Sequence, residues 1–294
     1  MCRARIAMLI LFGASAAISA LLFLVESSMS PSSFAAQAAG PAYLGFDLNT
    51  YPGEAALPVL RKTFSFAGYW LSPPPGAKVN TWVGKRQRVL SEKFGFLILF
   101  NGPQSSELRS PAQAISRGAA DAARAATTAK NEGFPAGAII FLDVEEGGRL
   151  APKFHAYIRA WLDSLARAGF GAGVYCSGMP VNDAPGVTIT TADDIRQNLG
   201  KGDLAYFIYN DACPPSPGCV FPHNAPPPSA SGIPYAAVWQ FAQSPRRKEF
   251  TAHCAATYYR DGNCYAQSDT AHARFLDLNS ATTPDPSNGR DRQP

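Results

Sequence analysis

Two carboxylates placed two residues apart form the part of the sequence best suited to chemistry. Asp143 and Glu145, called here the acid pair, follow a continuous apolar run that begins at Ala138. If the strand continues, both side chains project to one face, ~6.5–7 Å apart along the backbone. Carboxyls this close repel each other as anions, which favours keeping one of them protonated. One protonated and one ionised carboxyl are what cleavage of a glycosidic bond requires.

Other acids support this interpretation of the acid pair. Taken alone, an Asp-x-Glu triplet fits a solvated turn or a helix cap equally well. However, Asp47 also ends an apolar segment near the start of the chain, and Asp277 lies in an apolar segment near its end. Because the first and last strands of a closed barrel are neighbours, these two acids should meet at the rim that carries the acid pair. Four acids on one rim predict a catalytic site.

The elements that must position these acids are apolar segments separated by helical patterns. Most segments are continuous apolar runs, as expected for parallel strands covered on both sides. Eight are predicted as strands: Tyr43–Asp47, Phe66–Leu71, Gly95–Phe100, Ala138–Asp143, Gly171–Cys176, Leu204–Tyr209, Ala236–Phe241 and Arg274–Leu278. Four helices are predicted between them: Trp82–Phe94, Pro111–Glu132, Pro152–Ala168 and Thr191–Leu199. This alternation predicts an α/β fold, a (β/α)₈ TIM-type barrel.

The pattern weakens in the C-terminal third of the chain. Residues 213–234 are rich in proline and lack periodicity, and residues 246–270 form another long connection. Loops of this length in a compact domain are usually functional or disordered. We therefore expect an irregular barrel in this third and a loose polar tail over residues 283–294.

The amino terminus has the pattern of an export signal. Arg3 and Arg5 precede the apolar stretch from Ile6 to Val25, and the small-residue site Ala36-Gln37-Ala38 follows. The stretch is ~20 residues long, which also suffices for an uncleaved membrane anchor. Both alternatives place the folded part outside the cytoplasm. The expected organisation is a signal peptide or anchor over residues 1–38, a barrel domain over 39–282 and the tail.

Cysteine spacing agrees with an extracytoplasmic location. Cys213 and Cys219 flank one short loop, and Cys254 and Cys264 flank another. In an oxidising compartment these spacings predict two local disulfides. A zinc site is the alternative, although the sequence has no C-x-x-C or H-x-x-x-H spacing. Cys176 ends an apolar strand and is predicted to be a buried free thiol.

Charge and aromatic residues narrow the class of ligand. A net charge of +4 without a basic stripe argues against nucleic acid as a partner, and no motif indicates a cofactor or a metal. Sugar rings stack on aromatic side chains, so a glycan cleft should contain some of the aromatics near strand ends. Tyr175 and Trp239 are the preferred contacts, with Tyr69, Gln240 and Asn210 as further candidates. Packing in the core is the alternative role for each aromatic.

Several short motifs resemble those of known families. Four resemble the lysozymes of glycoside hydrolase family 25 in order and approximate spacing: Gly45-Phe-Asp47, Leu142-Asp-Val-Glu145, Trp239-Gln-Phe241 and Asp277-Leu-Asn279. Three more resemble the glycoside-hydrolase-like domains of the DUF1906 (Rv2525c-like) type: Phe66-Ala-Gly68-Tyr69-Trp70, the helix Gly118–Gly133 and the strand Gly171-Ala-Gly173-Val-Tyr175. The resemblance covers most of residues 41–281. It implies a (β/α)₈-type barrel and, for the lysozymes, cleavage of the muramic acid bond in peptidoglycan.

The resemblance also implies roles for the four acids. Glu145 corresponds to the general acid, and Asp143 to its carboxylate partner, either as a nucleophile or as the stabiliser of a substrate-assisted intermediate. Asp47 and Asp277 correspond to supporting acids.

Two departures from the lysozyme pattern leave a second function open. Asn101-Gly102 follows the third strand in place of an aromatic and histidine pattern, and Asn210 follows the sixth in place of a tryptophan. The first hypothesis is a glycoside hydrolase acting on a cell-envelope polysaccharide such as peptidoglycan. The second is a barrel that binds glycan without hydrolysing it and has an envelope-associated role. A metal-assisted hydrolase that uses the same acids is a third.

Overall fold

A closed barrel of eight strands forms the body of the protein. The computed structural model describes residues 41–200, 202, 204–210, 224–244, 264 and 274–291. The barrel strands are β1 (Tyr43–Asp47), β2 (Phe66–Trp70), β3 (Gly95–Asn101), β4 (Ile139–Asp143), β5 (Gly171–Ser177), β8 (Leu204–Tyr209), β9 (Val238–Ala242) and β10 (Asp277–Ala281), and β6 (Val181–Ala184) and β7 (Val187–Ile189) form a separate hairpin. Around the barrel the order is β1-β10-β9-β8-β5-β4-β3-β2. The predicted TIM-type barrel is confirmed.

Helices lie between the strands of the first two thirds of the chain. They are α1 (Leu57–Arg61), α2 (Arg86–Ser91), α3 (Pro111–Glu132), α4 (Pro152–Arg167) and α5 (Thr191–Leu199). The helix α3 begins at the cap Ser110, whose side chain accepts from the Gln113 N–H, and it ends at Gly133 in the left-handed conformation. None of the helices in the described ranges is long and apolar enough to cross a membrane.

The barrel strands bury most of their side chains, as their continuous apolar sequences require. The five residues of β2 are all buried, and six of the seven in β3 are buried. A parallel strand in a barrel has the packed interior on one side and helices on the other, so both faces lose contact with water. This double burial fixes the positions of the strand ends that carry the site.

The last strand departs from the predicted geometry. The strand β10 pairs antiparallel with both β1 and β9, whereas the other barrel pairings are parallel. It also runs from Asp277 to Ala281 rather than over the predicted Arg274–Leu278. Asp277 therefore stands at the amino end of its strand. Because the strand is reversed, this end lies at the rim formed by the carboxyl ends of the others, and Asp277 pairs with Asp47.

Residues 283–291 are not the loose tail that the sequence predicted. The Ser287 side-chain oxygen accepts from the Ile98 N–H at 2.8 Å, and Asp285 accepts from the Phe96 N–H at 2.8 Å. The guanidinium of Arg86 is buried and donates to Gly289 and Asp291. These bonds close the end of the barrel opposite the rim that carries the acids. Residues 292–294 lie outside the described part of the chain.

The cysteines are described only in part. Cys176 is a free, buried thiol, as predicted, and burial raises its pKa well above the ordinary value. Cys264 is fully buried, and its N–H donates to the Ser244 hydroxyl at 2.7 Å. Cys213, Cys219 and Cys254 lie outside the described residues, so the two disulfide pairings stay a prediction. The signal segment over residues 1–38 lies outside them as well.

Candidate active site

The four predicted acids line one cleft at the rim of the barrel. Its cavity of 360 Å³ is bounded by Asp47, Asp143, Glu145 and Asp277, together with Asn49, Trp70, Pro75, Leu99, Gln104, Tyr175, Phe207, Gln240 and Gln243. The acids come from the ends of β1 and β4, the loop after β4, and the start of β10. The expected convergence of side chains more than two hundred positions apart in sequence is present.

The acid pair combines a buried and an exposed carboxyl. Asp143 ends β4 and is only 4% exposed, while Glu145 lies in the loop beyond it and is exposed. The Val144 N–H still donates to the Tyr175 carbonyl at 2.9 Å, so the parallel ladder continues past Asp143. This extension keeps the chain close to the neighbouring strand and presents Glu145 at the mouth of the cleft.

Asp47 is a buried carboxyl held by two side-chain amides. Its Oδ2 atom accepts from the Asn279 amide at 2.8 Å and from the Gln240 amide at 3.0 Å. Burial raises the pKa of Asp47 to about 6; the two amide donors lower it, and repulsion from Glu145 raises it further. A carboxyl whose pKa lies near neutrality can hold or release a proton in the working range of an acid–base catalyst.

Tyr175 lies among the acids, on the strand next to β4. Its hydroxyl donates to the Gln240 Oε1 atom at 2.8 Å and accepts from the Gln243 amide at 3.2 Å. Burial raises the pKa of Tyr175 well above its ordinary value, and the charges of Glu145, Asp143, Asp277 and Asp47 act in the same direction. The phenol therefore stays neutral and acts as a hydrogen-bond donor within the acidic cleft.

Asp277 connects the cleft to a second depression. Its Oδ1 atom accepts from the Ser244 N–H at 2.6 Å. A neighbouring cavity of 520 Å³ shares Asp47, Asn49 and Asp277 with the cleft and extends towards Tyr51 and Phe275. Two adjoining cavities give an elongated recess, a shape that suits a chain-like ligand better than a compact one.

Two glycines permit the close packing around the acids. A Cβ atom on Gly68 would lie 2.4 Å from the Asp47 Cβ atom, so a larger residue there would displace that carboxylate. A Cβ atom on Gly102 would lie 2.3 Å from the Asp143 carbonyl oxygen, to which the Gly102 N–H donates at 3.1 Å. The glycine at position 102 thus has a structural reason, because only glycine fits against the backbone of Asp143.

Among the predicted substrate contacts, Tyr175 and Gln240 line the cleft, and the other three do not. Tyr69 is fully buried among Trp82, Phe96 and Phe134, and its hydroxyl donates to the Glu132 carboxylate at 2.6 Å. Trp239 packs against Phe241, and its indole N–H donates to the Asn210 carbonyl at 3.2 Å. Asn210 donates in turn to the Ser231 carbonyl. The prediction was wrong for Tyr69, which is fully buried; Trp239 and Asn210 are partly exposed and make structural contacts, and their substrate role stays a prediction.

The predicted contacts omit several residues of the cleft. Trp70 directly follows Tyr69, is 4% exposed and lines the cavity, and within the described structure its indole nitrogen has no hydrogen-bond partner. Gln243 and Phe207 also line it. The alternation of side chains along a strand was the available signal, because residues two apart share a face. Counted from the last residue of β2, this alternation places Trp70 and Gly68 on one face of the strand and Tyr69 on the other.

The arrangement can support acid–base chemistry on a bound polar chain. It offers an exposed carboxyl, a buried carboxyl two residues away, and a third carboxyl with its pKa near neutrality. Within the described ranges, no group of three or more His, Cys, Asp and Glu side chains has the geometry to hold a metal ion.

Comparison with protein families gives one match. Residues 80–207 match the model of the Rv2525c-like, glycoside hydrolase-like domain, which confirms the resemblance seen in the motifs. This segment includes the acid pair and Tyr175. A search of the curated proteins finds no match.

Comparison with solved structures finds several similar chains. An uncharacterized protein of B. stearothermophilus is 18% identical, with 81% of this chain and 95% of that one covered and a TM-score of 0.50. The Tat-secreted protein Rv2525c of Mycobacterium tuberculosis is 13% identical, with 83% and 96% covered and a TM-score of 0.47. The catalytic domain of endolysin ply40 from Listeria monocytogenes bacteriophage P40 is 14% identical, with 81% and 92% covered and a TM-score of 0.45.

Proposed function

We propose that this protein, whose residues 80–207 carry an Rv2525c-like, glycoside hydrolase-like domain, is an exported glycoside hydrolase acting on a cell-envelope polysaccharide. The observation that carries the proposal is the convergence of Asp47, Asp143, Glu145 and Asp277 on one cleft. Acids gathered from both ends and the middle of the chain are not explained by capping or by turn formation. Cleavage of a glycosidic bond by a pair of carboxyls uses such an arrangement.

In the proposed reaction the members of the acid pair have different tasks. Glu145 donates its proton to the oxygen of the leaving sugar, so that this oxygen departs as a hydroxyl group. Asp143 remains ionised and stabilises the positive charge that develops at the anomeric carbon, either by direct attack or through a substituent of the substrate. A water molecule then adds to this carbon and returns a proton to Glu145, which restores the starting state.

Peptidoglycan is the first candidate substrate. The motifs around Asp47, the acid pair, Gln240 and Asp277 resemble those of lysozymes that cleave this polymer. The two adjoining cavities of 360 and 520 Å³ have room for more than one sugar ring of an extended chain. An export signal over residues 1–38 would bring the enzyme to the cell envelope.

Glycan binding without hydrolysis is a second candidate function. It is favoured by the exposure of Glu145, because general acids of glycosidases are commonly desolvated so that they keep a proton. The asparagines at positions 101 and 210, which depart from the lysozyme pattern, point the same way.

A hydrolysis assay separates the two functions. The purified protein is incubated with peptidoglycan and with other bacterial polysaccharides, and new reducing ends are counted. We expect release by the wild type and by Asp163→Asn, an exposed control on α4, and release slower by ~10²–10⁴-fold in Glu145→Gln. Circular dichroism checks that each variant is folded. Binding of glycan without release by the wild type would favour the second function, and an unchanged rate of turnover in Glu145→Gln would remove that residue from its role.

A further inference from the structure

Gln240 lies at the centre of a buried hydrogen-bond network beside the acids. Its Nε2 atom donates to Asp47 at 3.0 Å, and its Oε1 atom accepts from the Tyr175 hydroxyl at 2.8 Å and from the Gln243 amide at 2.6 Å. The side chains of all four residues are at least nine-tenths buried. Both ends of the Gln240 amide are thus engaged by protein groups.

The donors on Oε1 determine which end of the amide faces Asp47. A carboxamide has an oxygen that only accepts and a nitrogen that only donates. If the Gln240 amide were reversed, its NH₂ group would face the NH₂ group of Gln243, and its oxygen would face the Asp47 carboxylate. Reversal would therefore break the bonds to Gln243 and Asp47 and bring acceptors together. The Gln243 NH₂ group, supported by the Tyr175 hydroxyl that donates to the same oxygen, holds the amide in the orientation that donates to Asp47.

This orientation opposes protonation of Asp47. The carboxyl accepts from the amides of Asn279 on β10 and Gln240 on β9, and Asp277 is its pairing partner on β10. The other titratable groups that line the same cleft are Asp143 and Glu145 from β4 and its loop, and Tyr175 from β5. The neighbour on β2 is Gly68, which brings no side chain. Burial and the charge of Glu145 favour the neutral carboxyl, and the two amide donors favour the carboxylate. The amides are thus the groups that keep Asp47 ionised near neutral pH.

We propose that Gln240 is a positioning residue, locked by Tyr175 and Gln243, that holds Asp47 ionised and oriented towards the acid pair. This role replaces the direct substrate contact expected from the sequence, and its use in catalysis rests on the proposed function. A structural role alone would require only that the cavity be filled. A positioning role requires that the proton affinity of Asp47 depend on the amide and on the two groups that orient it.

The test is a titration of Asp47 by carboxyl ¹³C NMR in the full protein, with Asp47→Asn used to assign its resonance. Gln240→Met keeps the bulk of the side chain but removes the donor, and we expect the midpoint to rise by about one pH unit, the value of one charge-assisted hydrogen bond. Tyr175→Phe combined with Gln243→Met should raise it by a smaller amount. When Gln240→Met is added to that double variant, the midpoint should rise no further than in Gln240→Met alone, because all three substitutions act through the Gln240 amide.

Two further variants keep the test specific. Asn279→Leu removes the other direct donor, and its effect should add to that of Gln240→Met. Tyr206→Phe, which removes a buried hydroxyl outside the cleft lining, should leave the midpoint unchanged. An unchanged midpoint in Gln240→Met, or full additivity between that change and the Tyr175/Gln243 pair, would overturn the proposal. Should Gln240→Met not fold, the Tyr175/Gln243 variant decides alone, and no rise in it would overturn the proposal.

The titration needs no substrate, so its outcome is independent of whether the protein hydrolyses glycans. If hydrolysis is found, the acidic limb of its pH profile should move upwards in Gln240→Met by the same amount as the midpoint. A limb that stays in place while the midpoint moves would overturn the catalytic part of the proposal and leave the proposed hydrolysis intact.

Discussion

The two sides of the cleft are built in different ways. The acid pair comes from one stretch of chain at the end of β4, and its outer member, Glu145, is exposed. The opposite side, called here the amide side, joins Asp47 to Gln240 and Asn279, residues 193 and 232 positions away in sequence, and all three are buried. The first side offers a carboxyl to a ligand, while the second adjusts the charge of a carboxyl that water barely reaches. Under the proposed function, the acid pair carries out the reaction and the amide side adjusts the proton affinity of Asp47.

The largest expected difference between the acid pair and the amide side is in turnover. Glu145→Gln removes the proposed proton donor and should lower the rate of glycan cleavage by ~10²–10⁴-fold, the usual contribution of a positioned acid. Gln240→Met should cost much less, because the amide side acts on the reaction only through Asp47. Rates of reducing-end formation measure both losses. An equal loss of cleavage rate in the two variants would contradict different roles for the acid pair and the amide side.

The next effect is on the pH dependence of stability. Folded Asp47 keeps its proton up to about pH 6, whereas the unfolded chain releases it near the ordinary value of 3.8. The folded state thus binds more protons between these values, so its stability falls as pH rises through this window, by about 3 kcal/mol for this group. In Asp47→Asn the side-chain oxygen can still accept from both amides, and the loss should disappear. Urea unfolding at about pH 4 and about pH 8 compares the two proteins, and an unaltered pH dependence in the variant would count against the assignment.

A smaller effect compares a glycine on each side of the cleft. Gly68→Ala would place a methyl group 2.4 Å from the Asp47 Cβ atom and should destabilise the fold by about 1–3 kcal/mol. Gly147→Ala, in the loop of the acid pair, meets nothing within 4 Å and should change stability by less than about 0.5 kcal/mol. Thermal unfolding measures both. Similar midpoints of thermal unfolding for the two variants would show that the amide side is not tightly packed.

The difference between the acid pair and the amide side also explains what the sequence could predict. The acid pair and the strand before it form a continuous local pattern, so β4 was found to within one residue at its start and the pair was recognised at its end. The amide side depends on β10, whose direction no local pattern encodes. Asp47 and Asp277 were predicted to be neighbours on the assumption that the last strand is parallel to the first. They are neighbours because the last strand is antiparallel and its amino end lies at the same rim.

The errors among the substrate contacts have one physical cause. On β2, Tyr69 is the predicted contact, whereas its neighbour Trp70 lines the cleft; on β9, Trp239 and Gln240 are both predicted, and of the two Gln240 lines it. In a strand buried on both faces, hydrophobicity does not show which residues point inwards, and a shift by one residue exchanges the two faces. The tail over residues 283–291 was missed because its stabilising bonds go to backbone groups of β3, which no pattern of side chains records.

Hydrolysis in water enriched in ¹⁸O tests the central claim most directly. If the four acids form a hydrolytic site, each cut in a glycan chain should place one ¹⁸O atom on the new reducing end, as detected by mass spectrometry of the released fragments. Glu145→Gln should release labelled fragments ~10²–10⁴-fold more slowly. Fragments released by the wild type without ¹⁸O, or labelled fragments released at equal rates by the wild type and by Glu145→Gln, would contradict the account.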